Sequence, residues 1–365
     1  MRCMTKRGEA MNKFGHAFLI ILAIVSTISL MFLINCNGKE ALEGSLYVGS
    51  YSSDKVYVVD IVKKEIVKTI DLPAGAQPDW LTLSPDGSKL FCSAHSLNQV
   101  HVIDTATNTY VDAVNVCAKP KGIAFTPDGS IAAVVQENDI SLIDVNTLAY
   151  NADTTDTING VAGTGGIAIH PTLNKLYLPS TDVIPTSQIV YVSDIVGNAT
   201  PVGYAILHSN KLIDVEINSD GSKLFVSGWG SPDTIHFLDV YSSDGSLCCL
   251  ITKEMEHLTT DFNYNDKLRL TPDNTRLYIG AYSASMLDYV DLSSNNKKVF
   301  IDLANYTSNH TGPRDIAFSP GSSYAFVLID GDDDLIIILN TSDDSVIDTI
   351  PLPKSCDPTS LVYKQ

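Results

Sequence analysis

Five charged residues occupy matching positions in three late segments of the chain. Asp214 and Glu216 share one segment, Lys267 and Arg269 share the next, and Asp315 lies in a third. Alternate residues of a strand point to the same face, so these segments would present acids and bases to one surface. Such a surface could bind a polar ligand or a metal ion. Because unpaired buried charges are costly, it could equally hold ion pairs between neighbouring segments.

Four further charged residues lie beside these positions, each one residue nearer the start of its segment. They are Asp79, Lys121, Asp266 and Arg314. If the first five side chains line a channel, these four should surround its entrance. We therefore predict that the first five residues form a ligand-binding channel wall and that these four form its rim.

The remaining titratable residues form weaker patterns. The histidines show no close metal-ligand spacing, so the sequence predicts no zinc site. The acidic run from Asp330 to Asp334 lacks the later glutamate of an EF-hand, which favours a solvated turn over a calcium loop. No Gly-x-Ser-x-Gly nucleophile elbow is present in the sequence. No cofactor is predicted, and a divalent cation at the charged positions stays open as an alternative.

Short strands repeated along the chain would position these side chains. The clearest unit, residues 78–116, contains four apolar runs separated by polar turns. Its first turn, Ser84-Pro85-Asp86-Gly87, has the residues of a type I turn. Similar openings recur roughly every 40 to 50 residues, a spacing typical of propeller blades. These openings lie at residues 120–129, 166–171, 214–221, 268–274 and 313–321.

Four strands of this size cannot bury both faces alone, so the repeats must pack against one another. The sequence therefore predicts an all-β fold, a seven-bladed β-propeller of four-stranded antiparallel blades over residues 45–365. Residues 45–72 supply three strands of the first blade, and residues 357–363 match the missing strand. We expect this C-terminal strand to join the N-terminal blade and close the ring, which removes exposed sheet edges.

The repeated pattern resembles the YVTN-type β-propeller repeat. The resemblance is carried by the Ser84 to Gly87 turn, by Val100-His101-Val102-Ile103-Asp104 and by Thr105-Ala106-Thr107-Asn108, and it covers Ser45 to Gln365. It implies a seven-bladed propeller similar to the lactonase-like group. It implies little about activity, because that family includes surface proteins, binding scaffolds and a few enzymes.

Residues 1–35 have the pattern of an export signal. Basic residues precede an apolar run over residues 17–34, and a start at Met11 rather than Met1 would give a signal of more usual length. The run ends next to Cys36, which resembles the lipidated cysteine of bacterial lipoproteins and would begin a tether over residues 36–44. An uncleaved membrane anchor and ordinary secretion are the alternatives. All three place the body in the cell envelope or outside it, facing the periplasm or the exterior.

Composition limits the partners. The formal net charge of −18 argues against nucleic-acid binding and against a polybasic membrane contact. The cysteines of the body are odd in number, so at least one is free or pairs with another chain, and their pairing cannot be assigned from the sequence. They are Cys92, Cys117, Cys248, Cys249 and Cys356.

These observations favour a non-catalytic, monomeric envelope protein whose propeller binds a protein or polysaccharide ligand. The lack of a catalytic constellation in the sequence motivates this prediction. The alternative is a lactonase-like hydrolase or a dehydrogenase-type propeller that uses the charged wall around Glu216 and Arg269. A wall that converges on an open pocket would favour the enzyme, whereas a mutually paired wall would disfavour it.

Overall fold

The computed structural model describes residues 40–137, 140–150, 165–184, 187–195, 201–207, 211–229, 233–242, 248–260, 265–281, 285–307, 312–332 and 334–365. The chain divides into two compact units, Met1–Glu43 and Gly44–Gln365. The export signal over residues 1–35, the start at Met1 or Met11 and lipidation at Cys36 lie outside the described residues. No helix in the described part of the chain is long and apolar enough to cross a membrane.

The second unit is built from β-strands, because its apolar residues alternate along short runs that end at turn sequences. The strands are β1 (Ser45–Ser50), β2 (Lys55–Asp60), β3 (Glu65–Asp71), β4 (Pro78–Leu83), β5 (Lys89–Ala94), β6 (Gln99–Asp104), β7 (Thr109–Asn115), β8 (Ile123–Phe125), β9 (Ile131–Val135), β10 (Ile140–Asp144), β11 (Ala168–Ile169), β12 (Lys175–Ile184), β13 (Ser187–Asp194), β14 (Pro201–Leu207), β15 (Lys211–Ile217), β16 (Lys223–Trp229), β17 (Asp233–Ser242), β18 (Cys248–Thr260), β19 (Asn265–Leu270), β20 (Arg276–Ala281), β21 (Met286–Asp291), β22 (Lys297–Asp302), β23 (Gly312–Phe318), β24 (Tyr324–Asp330), β25 (Leu335–Asn340), β26 (Ser345–Pro351) and β27 (Pro358–Lys364).

These strands form antiparallel sheets, which we number in chain order. Sheet 1 contains β27, β1, β2 and β3, sheet 2 contains β4–β7, and sheet 3 contains β8–β10. Sheets 4 to 7 contain β11–β14, β15–β18, β19–β22 and β23–β26. The opening strand of each sheet contacts the opening strand of the next, and the series of contacts returns from β23 to β27. This cyclic arrangement of antiparallel sheets is a β-propeller.

Over the described ranges, six of the sheets have four strands, which corrects the prediction of seven four-stranded blades to six. Sheet 3 has three strands in the described part of the chain. After β10, Tyr150 forms an isolated bridge with Ile143 where a fourth strand would pair. Residues 151–164, which follow Tyr150, are not described.

The predicted pairing of the two ends of the propeller is confirmed. β27 pairs antiparallel with β1, with Lys364 opposite Ser45 and Ser360 opposite Gly49. The strand begins at Pro358, whereas the prediction began at Asp357. Closure of this kind leaves only short outer edges on the sheets.

The repeated Ser-Pro-Asp-Gly turn is held by its own side chains. Ser84 Oγ donates to Asp86 Oδ1 at 2.6 Å, and Ser88 N donates to the same oxygen at 3.0 Å. The bond from Ser84, followed by the bonds from Ser88, lowers the pKa of Asp86 to about 2. Gly87 has a φ of 67°, a conformation that glycine adopts without steric cost. The turn fixes where each opening strand ends, and so it positions the wall residues on that strand.

The core lies between neighbouring sheets. The second strand of most sheets carries a fully buried aromatic residue, and these residues include Tyr47, Phe91, Tyr177, Phe225, Tyr278 and Phe326. Each fully buried large apolar side chain contributes roughly 1.5–3 kcal/mol. Because both faces of a sheet are covered by its neighbours, the second and third strands are apolar along most of their length.

Candidate ligand site at the channel mouth

The starts of the opening strands meet around a cavity of about 180 Å³. Each of the seven sheets, or the segment that leads directly into it, contributes at least one lining residue, so the cavity is the mouth of the central channel. The smallest lining residues are Gly165 and Gly166, which directly precede sheet 4, and the largest is Trp80 of sheet 2.

The structure brings much of the predicted rim and wall together at this mouth. Asp79, Lys121 and Arg314 of the rim line the cavity, as do Asp214 and Lys267 of the wall. The other wall residues, Glu216, Arg269 and Asp315, are not part of the cavity lining. The side chain of Asp266 lies outside the described residues.

Asp315 is the centre of an ion-pair network. Its Oδ2 lies 3.1 Å from Lys267 Nζ, and its Oδ1 lies 2.9 Å from Arg269 Nη2. The carboxylate also accepts hydrogen bonds from Leu361 N at 3.0 Å and from Ser360 Oγ at 2.9 Å. Its side chain is 0% exposed. Two cations and several hydrogen bonds are what a buried carboxylate needs to offset its desolvation.

Asp214 has a similar environment in sheet 5. Its Oδ2 accepts a hydrogen bond from Leu268 N at 2.9 Å and lies 3.5 Å from Arg269 Nη1. Its Oδ1 accepts a hydrogen bond from Val215 N at 2.9 Å. A Cβ at Gly166 would lie 2.3 Å from Oδ1, so only glycine fits beside this carboxylate.

A backbone group in the next sheet explains why acceptors occupy these positions. Three side chains accept a hydrogen bond from the backbone N–H of a residue in the following sheet, namely Asp214 from Leu268, Asp315 from Leu361 and Ser360 from Leu81. We call Asp214, Asp315 and Ser360 the acceptor belt. A buried N–H left without a partner would cost about 1–3 kcal/mol. The acceptor belt therefore helps to hold adjacent sheets in register, a role that aligning the repeats did not reveal.

The three acids of the wall differ in their pKa. Burial alone would raise the pKa of Asp315, but Arg269 and Lys267 outweigh it and hold that pKa below its ordinary value. For Asp214, burial outweighs the more distant Arg269, and its pKa lies above the ordinary value. Burial raises the pKa of Glu216 to about 7, with Arg269 opposing the rise and Asp214 adding to it. Glu216 therefore titrates close to neutral pH.

Trp80 contacts both cations of the wall. Lys267 Nζ lies 4.3 Å from the centroid of its ring, and Arg269 Cζ lies 5.2 Å from it. These distances fall within the ~6 Å range of cation–π attraction. Lys267 Nζ also donates to Thr359 O at 3.0 Å, so this cation joins sheets 6, 7, 1 and 2. Aligning the repeats gives no indication of this role for Trp80, because a contact across the channel leaves no signal in a single repeat.

The rim combines both signs of charge. Arg314 Nε lies 3.3 Å from Asp330 Oδ2. Burial lowers the pKa of Lys121, Lys211 lowers it further, and Asp79 opposes the change. Three of the five charged lining residues are cations, although the whole chain has a net charge of −18.

The acidic hairpin after β24 is not a solvated turn along its whole length, which corrects that prediction. Asp330 and Asp334 are only 7% and 4% exposed. Asp330 pairs with Arg314, while Asp334 accepts hydrogen bonds from Cys356 N at 2.8 Å and from Gly331 N at 3.2 Å. These partners offset the cost of burying the two carboxylates, which in turn hold neighbouring loops in place. Among the described residues, no group of three or more His, Cys, Asp or Glu is arranged to hold a metal ion.

Several thiols and one imidazole lie away from the channel. Cys92 and Cys356 are buried free thiols, and Cys117 is an exposed free thiol. The side chains of the other two body cysteines lie outside the described residues. His101 is 0% exposed, and neither of its ring nitrogens has a hydrogen-bond partner among the residues that the structure describes. Burial lowers the pKa of His101 to about 4.

Sequence comparison gives one short match. No family model matches the chain. A segment of 100 residues is 30% identical to Antigen Lp49 from Leptospira interrogans, and it covers 24% of this chain and 22% of that protein. The chain therefore matches less than a quarter of the length of this relative.

Solved structures share the fold at low sequence identity. A functionally unknown protein from Desulfotomaculum acetoxidans has a TM-score of 0.67 and 14% identity, over 88% of this chain and 98% of that chain. A putative 6-phosphogluconolactonase from Bacteroides fragilis has a TM-score of 0.65 and 15% identity, over 89% and 98%. Hydrazine synthase from Kuenenia stuttgartiensis has a TM-score of 0.61 and 17% identity, over 85% and 93%. At these identities the similarity shows the fold alone, and the chain is a β-propeller with a lactonase-like neighbour among the structures it resembles.

Proposed function

We propose that this chain is a non-catalytic propeller that binds a protein or polysaccharide ligand at its channel mouth. The observation that carries the proposal is the pairing of the wall charges with one another and with backbone groups. Asp315 binds both cations of the wall, and Asp214 accepts two backbone N–H groups. Side chains used in this way hold the sheets together, so binding of the ligand would depend on the rim residues.

A substitution at the rim tests this proposal. The full chain would be screened on arrays of bacterial polysaccharides and of surface proteins, and any hit would be titrated by surface plasmon resonance. We expect Lys121→Ala to weaken binding about tenfold, because Lys121 lines the mouth. The control is Lys63→Ala, which removes an exposed lysine from the turn between β2 and β3. Equal binding by both variants would place the ligand elsewhere.

We also propose that the chain is an exported lipoprotein of the YVTN-type repeat family, attached to a bacterial membrane through Cys36. The short match to a leptospiral protein named as an antigen supports a surface or exported location. Labelled palmitate added to growing cells should be incorporated into the wild-type protein and not into Cys36→Ala. Labelling of both proteins would contradict attachment at this residue.

The lactonase-like alternative rests on Glu216. Its pKa of about 7 suits a general base at neutral pH, and its side chain is not fully buried. A panel of sugar and aliphatic lactones would be incubated with the wild type and with Glu216→Gln. The scaffold proposal predicts equal, background-level hydrolysis by the two proteins. Hydrolysis by the wild type that is lost in Glu216→Gln would favour the enzyme.

A further inference from the structure

A groove of about 450 Å³ lies between the connection that leaves sheet 6 and the loops of sheet 7. Asn305, Tyr306 and Thr307 line it from the connection after β22. Leu335 at the start of β25 and Lys354 after β26 line it from sheet 7. The segments after β22 and β26 lead into β23 and β27, so the groove lies on the same face as the channel mouth. It shares no lining residue with that mouth.

The connections that follow the outer strands have a common anchor. The residue after the outer strand donates its N–H to the carbonyl of a residue between the second and third strands of the same sheet. The donors are Leu72, Val116, Leu303 and Leu352, and the acceptors are Asp54, Asn98, Ser285 and Asp334, in sheets 1, 2, 6 and 7. The side chains of Asp54, Asn98 and Asp334 also accept an N–H from the connection. These bonds hold the connection against the loop.

The connection after β22 is held differently. Ser285 occupies the anchor position, and its side chain accepts no N–H from the described part of the connection. The connection closes on itself instead, because Tyr306 N donates to Leu303 O at 2.8 Å and Thr307 Oγ1 donates to the same oxygen at 3.2 Å. The backbone that carries Tyr306 is therefore fixed by its own short turn.

This turn presents an aromatic ring to solvent. Tyr306 is 41% exposed, and its hydroxyl has no hydrogen-bond partner within the described ranges. Phe300, another exposed aromatic residue of sheet 6, has Lys298 Nζ at 4.6 Å from its ring centroid. Tyr306 has no ring or cation contact of this kind with any described residue. A ring held on a fixed backbone offers a preorganised apolar surface.

The charges of the groove do not select an ionic ligand. Asp334 is 4% exposed, and its two oxygens accept N–H groups from Gly331 and Cys356. Lys354 is exposed and forms no ion pair with a described residue. Exposed acids, Asp302 and Asp332, lie close in sequence to both sides of the groove. A carboxylate attracted by Lys354 would be repelled by these acids.

We propose that this groove binds a neutral sugar ring. The C–H face of the ring would pack on Tyr306, and its hydroxyls would bond to the side chains of Asn305 and Lys354. An aromatic surface with a few polar groups, in a volume of roughly 300–1,000 Å³, is typical of a small-molecule site. The site is separate from the channel mouth, so the inference goes beyond the proposed function and does not require it.

Calorimetric titration of the full chain with cellotriose tests the proposal. All ring hydroxyls of this neutral trisaccharide are equatorial, so both faces of each ring are apolar. We expect saturable binding at one site. Sorbitol, which has hydroxyls but no ring, should not bind saturably. Tri-galacturonate should bind more weakly than cellotriose, because it carries carboxylates toward Asp302 and Asp332. A lack of saturable cellotriose binding would overturn the site, and tighter binding of tri-galacturonate would overturn its preference for a neutral sugar.

Variants of exposed residues locate the binding. We expect Tyr306→Ala to weaken cellotriose binding about tenfold, because the apolar surface is lost. Tyr306→Phe keeps the ring and should stay within about threefold of the wild type. The matched control for Lys354→Met is Lys297→Met, because Lys297 is an exposed lysine at the opposite end of β22. Lys354→Met should weaken binding about threefold and Lys297→Met should not change it. Unchanged affinity in Tyr306→Ala would overturn the assignment.

A mouth variant separates this inference from the proposed function. Lys121→Ala alters the channel mouth and should leave the cellotriose affinity unchanged. A loss in Lys121→Ala as large as that in Tyr306→Ala would assign the sugar to the mouth and overturn the groove as a second site. Failure of cellotriose to bind would not affect a ligand whose binding depends on Lys121.

Discussion

Sheets 5 to 7 and sheets 1 and 2 build the channel wall with different chemistry for the same backbone task. In the charged part, Asp214 and Asp315 each accept the N–H of a residue in the following sheet. In the uncharged part, Ser360 does the same for Leu81. A hydroxyl is therefore sufficient for this bond. The carboxylates differ from the hydroxyl in one respect, because as buried anions they also need the cations Lys267 and Arg269 as partners.

This difference determines what each part loses on substitution. A neutral hydrogen bond contributes about 0.5–1.5 kcal/mol. A buried ion pair contributes little when compared with apolar residues, but removing one partner leaves an uncompensated charge and costs about 3–5 kcal/mol. The charged part of the wall should therefore be far more sensitive to substitution, although both parts form the same backbone contact.

The largest effect is expected for Asp315→Ala. This variant leaves Lys267 and Arg269 without their shared carboxylate and Leu361 N without an acceptor. We expect the free energy of unfolding, measured by urea denaturation, to fall by about 3–5 kcal/mol. The control is Asp71→Ala, which removes an exposed partner of Lys55 and should cost less than about 1 kcal/mol. Equal losses in the two variants would contradict a central role for Asp315.

A pH-dependent loss is expected from His101, a buried residue of sheet 2 that lies away from the channel. Its folded pKa of about 4 lies below the ordinary value of 6.5, so the unfolded chain binds a proton more readily. Its contribution to stability is therefore present above pH 6.5 and is lost as the pH falls toward 4. When the pH is lowered from 7 to 4, the free energy of unfolding measured in urea should fall by about 3 kcal/mol more for the wild type than for His101→Leu. Parallel losses in the two proteins would contradict this assignment.

The opposite dependence is expected in the charged part, from Glu216. Its folded pKa of about 7 lies above the ordinary value of 4.5, so the folded chain binds the proton more readily. Its contribution is present below pH 4.5 and is lost as the pH rises through 7. Glu216→Gln should match the wild type near pH 4 and be more stable by about 2 kcal/mol at pH 8. A constant difference between the two proteins across this range would refute the prediction.

The smallest effect is expected for Ser360→Ala. This variant removes the neutral acceptor of Leu81 N and a donor to Asp315. Because no ion is left unpaired, the free energy of unfolding measured by urea denaturation should fall by only about 1–2 kcal/mol. A loss as large as that of Asp315→Ala would show that the two parts of the wall do not differ in the way their chemistry suggests.

The sheets and the composition of the mouth were predictable because they depend on local repeats. Alternating apolar residues and the Ser84 to Gly87 turn specify strands within a few residues of one another. Once the repeats are aligned, equivalent positions must share one end of the channel. Asp79, Lys121 and Arg314 could therefore be predicted to surround one opening.

Contacts between repeats could not be predicted in this way. The bond from Leu268 N to Asp214 depends on the rotation between two sheets, which neither repeat encodes by itself. The contact of Trp80 with the wall cations spans the channel, so it cannot be predicted from a single repeat either. These features depend on side-chain volume and orientation, which hydrophobic alternation does not specify.

The pairing of β27 with β1 has a mechanical consequence. Lys364 lies opposite Ser45, so the two ends of the propeller leave the sheet at the same end of one antiparallel pair. A force applied between Gly44 and Gln365 would therefore load the backbone hydrogen bonds one after another, as in unzipping, instead of loading all of them together in shear. A propeller pulled by its two ends should therefore open between β1 and β27. A force applied between two other sheets should leave this pair of strands closed.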